Sequence, residues 1–158
     1  MTVNTADAQQ RLTEIRGRGG KATGDELDEL WSAFDPVRPE EILGNWKGSE
    51  FDTGHPAEGK LAKAGWYGKT FTSLTDVAPL VCRGSDGELF SNVEMAKGEA
   101  SLWLVEFRGE STATMVYDGQ PIFDHFKKID DSSLLGVMNG KGVVDDSGRH
   151  YYFLLDRD

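Results

Sequence analysis

Apolar residues near the N-terminus recur every three or four positions, which is the spacing of amphipathic helices. The first predicted helix starts with Thr5 as its capping residue and stops at the glycine-rich segment 17–20. The second follows Thr23 and Glu26, which have the spacing of a capping box. Its apolar stripe consists of Leu27, Leu30, Trp31 and Phe34. The front of the chain is therefore predicted to be helical.

From Trp46 onward the pattern changes to short segments typical of strands, with one short helical stretch predicted at 59–64. Links such as GE, GQ and DD are too short to hold crossover helices, so the strands are predicted to pair antiparallel. The predicted strands are NWKGSEFD, GWYGKTFTSL, APLVCR, LFSNVEM, ASLWLVEFR, STATMVYD, PIFDHFKKI, SSLLGVMNG and RHYYFLLDR. Closing this many strands into a barrel would remove their exposed edges.

Several strands are apolar at consecutive positions, as in ASLWLVEF and YYFLL. Adjacent side chains of a strand point to opposite faces, so both faces of these strands are predicted to be covered. We expect the inner face to pack on the core of a barrel and the outer face to pack on the two N-terminal helices.

The chain has 158 residues and a formal net charge of -10. This acidic excess opposes binding to phosphate backbones, so we expect no nucleic-acid partner. No apolar run is long enough for a transmembrane helix, and the N-terminus lacks the apolar region of a secretory signal. We therefore expect a cytoplasmic protein without integral membrane contact. Its single cysteine, Cys82, lies in an apolar segment and is predicted to be a buried thiol.

The sequence lacks the motifs of common catalytic, nucleotide and metal sites. GWYGKT resembles the end of a phosphate-binding loop, but Lys63 stands where that motif requires a glycine. No paired cysteines, HExxH segment or G-x-S-x-G elbow is present. The leading interpretation therefore includes no metal ion, no cofactor and no assigned catalytic residue.

The segment GNWKG, at 44–48, places a tryptophan between two glycines where helical sequence gives way to strands. Two further stretches are GWYGKTF with APLVC downstream, and PIFDHFKKIDDSSLLGVMNGKG. In these stretches the sequence resembles the bacterial and fungal family named for its GXWXG motif, whose members usually carry a C-terminal domain of unknown function. The resemblance implies a small, mainly β protein comparable to lipocalin-like or pleckstrin-homology-like barrels. It implies no established activity.

We therefore predict a mainly β fold, consisting of a single antiparallel β-barrel with N-terminal helices packed outside. Residues 1–22 are assigned to the first helix and its glycine-rich linker. Residues 23–158 are assigned to one globular domain, with the GXWXG part at 23–95 and a C-terminal strand part at 96–158.

The position of Trp46 resembles that of a tryptophan in lipocalins, fatty-acid-binding proteins and nitrobindins. In those barrels a Gly-x-Trp lies on the first strand, and its indole packs across the closed end under a basic side chain. The resemblance implies that Arg149 or Arg157 covers Trp46 in the same way through a cation–π contact. Two interpretations of Trp46 stay open, a structural plug and a wall of a ligand site.

The segment FDHF places Asp124 and His125 next to each other on a predicted strand, so one side chain should point inward and the other outward. An ionisable group inside a small barrel needs a partner or a ligand. The candidate ligand-binding residues, which include possible partners of this pair, are Trp46, Trp66, Tyr67, Lys69, Arg108, Tyr117, Asp124 and His125.

The leading functional prediction is non-enzymatic binding of a small apolar or amphipathic ligand, with a lipid as one option. One alternative is a small barrel enzyme that uses His125 and Asp124. Another is haem binding in the manner of nitrobindins, with His125 or His150 as the iron ligand. A homodimer is also considered.

Overall fold

The structure is a computed structural model that describes residues 3–158. Its helices are α1 (Thr5–Gly17), α2 (Gly24–Ala33), α3 (Lys60–Lys63) and α4 (Val93–Ala96), with a 3-10 turn at Pro39–Ile42. Its strands are β1 (Asp35–Pro36), β2 (Gly44–Glu50), β3 (Trp66–Ser73), β4 (Asp76–Arg83), β5 (Leu89–Ser91), β6 (Ala100–Phe107), β7 (Glu110–Tyr117), β8 (Ile122–Asp130), β9 (Ser133–Gly140) and β10 (Tyr151–Arg157). No helix within 3–158 has the length and apolar character needed to span a membrane.

Eight antiparallel strands form a closed, barrel-like ring. The order around the ring is β8-β7-β6-β4-β3-β2-β10-β9, and β9 pairs back with β8 to close it. β5 extends the sheet beside β4, and the short β1 pairs with β8. The prediction of a mainly β, antiparallel and closed fold with helices packed outside is confirmed.

The chain that follows α2 fills a gap between β7 and β8. These two strands pair directly only at Thr114–Val116. Farther along, β1 pairs with Lys127 and Lys128 of β8, and the Ala113 amide of β7 donates to the Val37 carbonyl at 2.8 Å. The front of the chain is therefore tied into the wall of the ring.

Two apolar clusters lie on opposite sides of the strands. The inner cluster includes Trp46, Phe71, Met115, Phe126 and Phe153. The outer cluster packs α1 and α2 against β8, β9 and β10, and it includes Leu12, Leu27, Trp31, Leu135 and Tyr152. Consecutive apolar positions in the strands thus serve both clusters, which is why the alternation of apolar and polar residues is weak.

Side-chain caps set the starts of three helices. Thr23 accepts a hydrogen bond from the Glu26 amide at the start of α2, as predicted. The cap of α1 is Asn4 rather than Thr5, because the Asn4 carboxamide accepts from the Asp7 amide. The predicted strand LFSNVEM is wrong beyond Ser91: Asn92 accepts from the Met95 amide and starts α4.

The two glycines of GNWKG have separate structural reasons. Gly44 has φ +126°, a conformation that L side chains rarely adopt. Gly48 leaves space for a neighbouring ring, because a Cβ at this position would lie 2.2 Å from the Trp66 indole. The motif therefore starts β2 and makes room for Trp66 on the adjacent strand.

Candidate functional site

The inside of the ring contains a cavity of about 190 Å³. Its wall is mostly apolar and includes Leu61, Trp66, Leu80, Ile122, Met138 and Phe153. Lys60 on α3 and Met95 on α4 also line the cavity and are themselves exposed, so the opening lies between these two short helices.

Exposed apolar side chains lie on α4 and on the strand that precedes it. Met95 shares α4 with Val93, and Leu89 and Phe90 precede it on β5. All four side chains are between 38% and 50% exposed. Met95 also lines the cavity, so part of this exposed apolar surface borders it.

A buried ion pair lies in the cavity wall. The Lys69 ammonium on β3 is 3.0 Å from Asp124 Oδ2 on β8, and both side chains are 3% exposed. The same ammonium donates to the Pro79 carbonyl at 2.9 Å. Two strands on different sides of the ring are thus connected across its interior.

The second carboxylate oxygen of Asp124 has no hydrogen-bond partner in the part of the chain that the structure describes. Oδ1 is buried and accepts no hydrogen bond from any residue within 3–158. Burial raises the pKa of Asp124, while the charge of Lys69 and its hydrogen bond oppose that rise. Asp124 lines the cavity, so this buried carboxylate lies beside the space that a bound molecule would occupy.

Aromatic rings surround the ammonium group of Lys69. Its Nζ lies 5.2 Å from the centroid of Phe153 and 5.9 Å from those of Trp66 and Tyr117. Burial raises the pKa of Tyr117 well above its ordinary value, and the Asp124 carboxylate acts in the same direction. The Tyr117 hydroxyl therefore stays uncharged beside the ion pair.

A second polar group borders the cavity at Tyr151. Its hydroxyl donates to Glu50, which also accepts from the Gly59 amide. Burial and the bond to Glu50 raise the pKa of Tyr151. The His55 ring lies 5.9 Å from that of Tyr151, and its buried Nε2 has no hydrogen-bond partner within the described residues.

Two glycines allow large rings to fit into the interior. The Trp66 indole lies against Gly48, and the Phe153 ring lies against Gly136, where a Cβ would be 2.4 Å from the ring. Both rings line the cavity. The shape of the cavity wall therefore depends on small residues in the neighbouring strands.

The eight residues predicted as a ligand site do not lie together. Trp66, Lys69, Tyr117 and Asp124 line the cavity. Tyr67, next to Trp66, points away from it: its hydroxyl donates to Asp158 at 2.7 Å and the Arg83 guanidinium lies over its ring.

Trp46 is in the inner cluster but does not line the cavity. Its side chain is 2% exposed, and its Nε1 donates to the Ile42 carbonyl at 2.8 Å. The Arg157 guanidinium of β10 lies 4.3 Å from the centre of the indole, whereas Arg149 pairs with Asp145. These contacts hold the Trp46 indole between the 3-10 turn, through Ile42, and Arg157 of β10.

His125 and Arg108 lie on the outer face of the ring. The His125 ring stacks on Phe107 at 4.1 Å, and its two nitrogens lie 2.8 Å from the Thr114 hydroxyl and 3.1 Å from the Asn139 amide. Arg108 contacts Tyr152 and Asp28 instead.

Burial lowers the pKa of His125 to about 4, and the charges of His150 and Arg108 contribute to this shift. The ring of His125 is therefore neutral near neutral pH, and both nitrogens are already engaged. Its side chain neither reaches the cavity that Asp124 lines nor offers a free nitrogen to an iron atom.

Several cavity residues were not predicted from the sequence. Tyr151 and Phe153 belong to YYFLL, which is apolar on both faces, so its pattern does not show which residues point inward. Leu80, Ile122 and Met138 are ordinary strand residues without a chemical signal. No group of His, Cys, Asp and Glu within 3–158 is arranged to hold a metal ion.

Comparisons with known proteins agree with this architecture. The GXWXG protein family matches residues 29–87, and the domain of unknown function DUF4334 matches residues 98–157. The search of curated proteins gave no match.

A crystal structure of a protein from Thermomonospora curvata superposes on this chain with a TM-score of 0.87. It shares 38% sequence identity, and the alignment covers 96% of this chain and 99% of that one. The two family matches, in this order along the chain, show that it belongs to the GXWXG protein family and carries DUF4334 as its C-terminal part.

Proposed function

We propose that this protein binds a small, largely apolar molecule inside the ring, without chemical conversion, and orients its polar end at Asp124 and Lys69. The apolar wall would supply most of the binding free energy through burial of apolar surface. The polar pair would fix the orientation of the molecule.

The observation that carries this proposal is the unpartnered Oδ1 of Asp124 beside an apolar cavity. A buried carboxylate oxygen without a hydrogen bond costs free energy, and apolar residues of similar size would often be at least as stable there. A role in stability alone therefore does not account for this arrangement. A bound molecule that donates to Oδ1 does account for it.

The size of the cavity narrows the class of ligand. A cavity of roughly 150 Å³ is known to hold benzene, and this one measures about 190 Å³. The space suits a single ring or a short chain. Phospholipids and long-chain fatty acids would have to extend through the opening between Lys60 and Met95.

Calorimetric titration with cyclohexanol and toluene tests the proposal. Ligands of this size should bind the wild-type protein with dissociation constants of roughly 10 µM to 1 mM. Ala57 lines the cavity, so Ala57→Phe should fill it and abolish binding. Ala62 is exposed on α3 and does not line the cavity, so Ala62→Phe is the matched control and should bind as the wild type does.

The results separate three cases. Binding that only Ala57→Phe removes supports the proposal. Binding that survives both substitutions places the ligand elsewhere and contradicts it. If neither cyclohexanol nor toluene binds the wild-type protein, the proposal is also contradicted.

A further inference from the structure

We infer that the ligand carries an uncharged hydrogen-bond donor, such as a hydroxyl or a primary amide, on its compact apolar body. This inference rests on the proposed function and specifies the chemical class of molecule that the cavity selects. It follows from the polar groups that face the cavity and from the balance of their charges.

The free group at Asp124 is an acceptor. Oδ1 has no partner within 3–158, and the other oxygen is already bonded to Lys69. A carboxylate oxygen accepts hydrogen bonds and cannot donate them. An alcohol or an amide can satisfy Oδ1, whereas an ether or a hydrocarbon of the same shape leaves it unpaired.

The charges around the cavity disfavour charged ligands. Lys69 and Asp124 form a pair without net charge, so neither sign of ligand gains an unpaired counter-ion. A carboxylate would lie beside the Asp124 carboxylate, and an ammonium group would lie beside Lys69. Transfer of either ion from water into this apolar space would carry a large desolvation cost.

The Tyr117 hydroxyl complements a ligand that both donates and accepts. Tyr117 lines the cavity next to the ion pair, and burial raises the pKa of its hydroxyl, which therefore keeps its proton and can donate. A ligand hydroxyl that donates to Asp124 keeps its own lone pairs free for a donor. Tyr117 is placed on the cavity wall to supply that donor.

A series of cyclohexane derivatives tests the inference by calorimetry. The donors are cyclohexylmethanol and cyclohexanecarboxamide, and the donor-free compound is methoxycyclohexane. The charged compounds are cyclohexanecarboxylate and cyclohexylmethylammonium. At neutral pH the two donors should bind about 10- to 100-fold more tightly than the other three, as expected for a hydrogen bond to a charged acceptor.

A double variant, Lys69→Met with Asp124→Leu, removes the polar pair without leaving one charge buried alone. It should still bind methoxycyclohexane, but the preference for the donors should fall to within about threefold. Lys127→Met is the matched control, because Lys127 is another buried lysine that does not line the cavity. This control should keep the full preference.

The outcomes distinguish the inference from the proposed function. If the ether, the carboxylate or the ammonium compound binds the wild type as tightly as the alcohol, the inference is wrong and the proposed function stands. If no member of the series binds, the proposed function fails with it. A preference that persists in the double variant would place the selecting group elsewhere and also overturn the inference.

Discussion

Two lysines are buried within residues 3–158, and they differ in the exposure of the carboxylates with which they pair. Lys69 lies inside the ring and is 3% exposed, while Lys127 lies under α2 and is 0% exposed. Each ammonium group donates to one backbone carbonyl, of Pro79 and of Trp31 respectively. Each also pairs with one carboxylate and lies near aromatic rings.

The difference lies in the carboxylate partner. Glu110, the partner of Lys127, has a side chain that is 44% exposed, so its remaining lone pairs reach water. Asp124, the partner of Lys69, is buried and retains an unpartnered oxygen on a cavity. The carboxylate of the outer pair therefore completes its hydrogen bonding with solvent, whereas the carboxylate of the interior pair leaves an acceptor that a guest molecule can use.

The largest expected effect is a difference in the free energy of unfolding that is lost when each lysine is replaced. Lys69→Met should lower the free energy of unfolding by about 3–5 kcal/mol, because it leaves the Asp124 carboxylate buried without its counter-ion. Lys127→Met should cost about 1–3 kcal/mol, since Glu110 stays hydrated and the main loss is a hydrogen-bond donor. Urea unfolding of both variants measures this difference. Equal losses would contradict the distinction between the two sites.

The next effect is the stability that the protein loses at low pH because of His125, which lies in the outer layer. His125 has a pKa of about 4 in the folded protein, against 6.5 for an unperturbed histidine. The unfolded chain therefore binds more protons between these values, so the contribution of His125 to stability is complete above pH 6.5 and is lost as the pH falls toward 4. The expected loss is on the order of 2–3 kcal/mol.

The variant His125→Gln isolates that contribution. It should remove this part of the pH dependence and leave binding of cyclohexylmethanol at pH 7.5 unchanged, because His125 does not line the cavity. Urea unfolding at pH 7.5 and pH 5 measures the first effect, and calorimetry measures the second. Weaker binding in the variant would show that the outer layer and the cavity are coupled.

A smaller effect is expected at Gly48. A Cβ there would lie 2.2 Å from the Trp66 indole, so Gly48→Ala should push this ring toward the cavity. The cost of overpacking should be about 1–3 kcal/mol, with loss of ligand binding. Gly17→Ala is the control, because a Cβ there meets no atom within 4 Å. Thermal unfolding and calorimetry on both variants measure the two effects.

The sequence was sufficient for most of the fold. Helix caps, short turns and strand-like segments predicted an antiparallel closed sheet with helices outside, and the structure has that form. The segment from Asn92 to Met95 was misassigned because α4 has only four residues, too few for a helical period. The side chain of Asn92 was the available signal.

The candidate site was only partly accessible from the sequence. Strand alternation separates Asp124 from His125, but both faces of β8 are buried, so the pattern does not show which one faces the cavity. The contact between Lys69 and Asp124 joins strands that are distant in the sequence. The unpartnered oxygen becomes visible only when every hydrogen bond around it is known.

A crystal structure of the protein with cyclohexylmethanol tests the central claim most directly. We predict that the ring of this molecule lies against Trp66 and Phe153 and that its hydroxyl lies about 3 Å from Asp124 Oδ1. A structure in which the compound lies outside the cavity, while ordered water alone contacts Oδ1, would contradict the account.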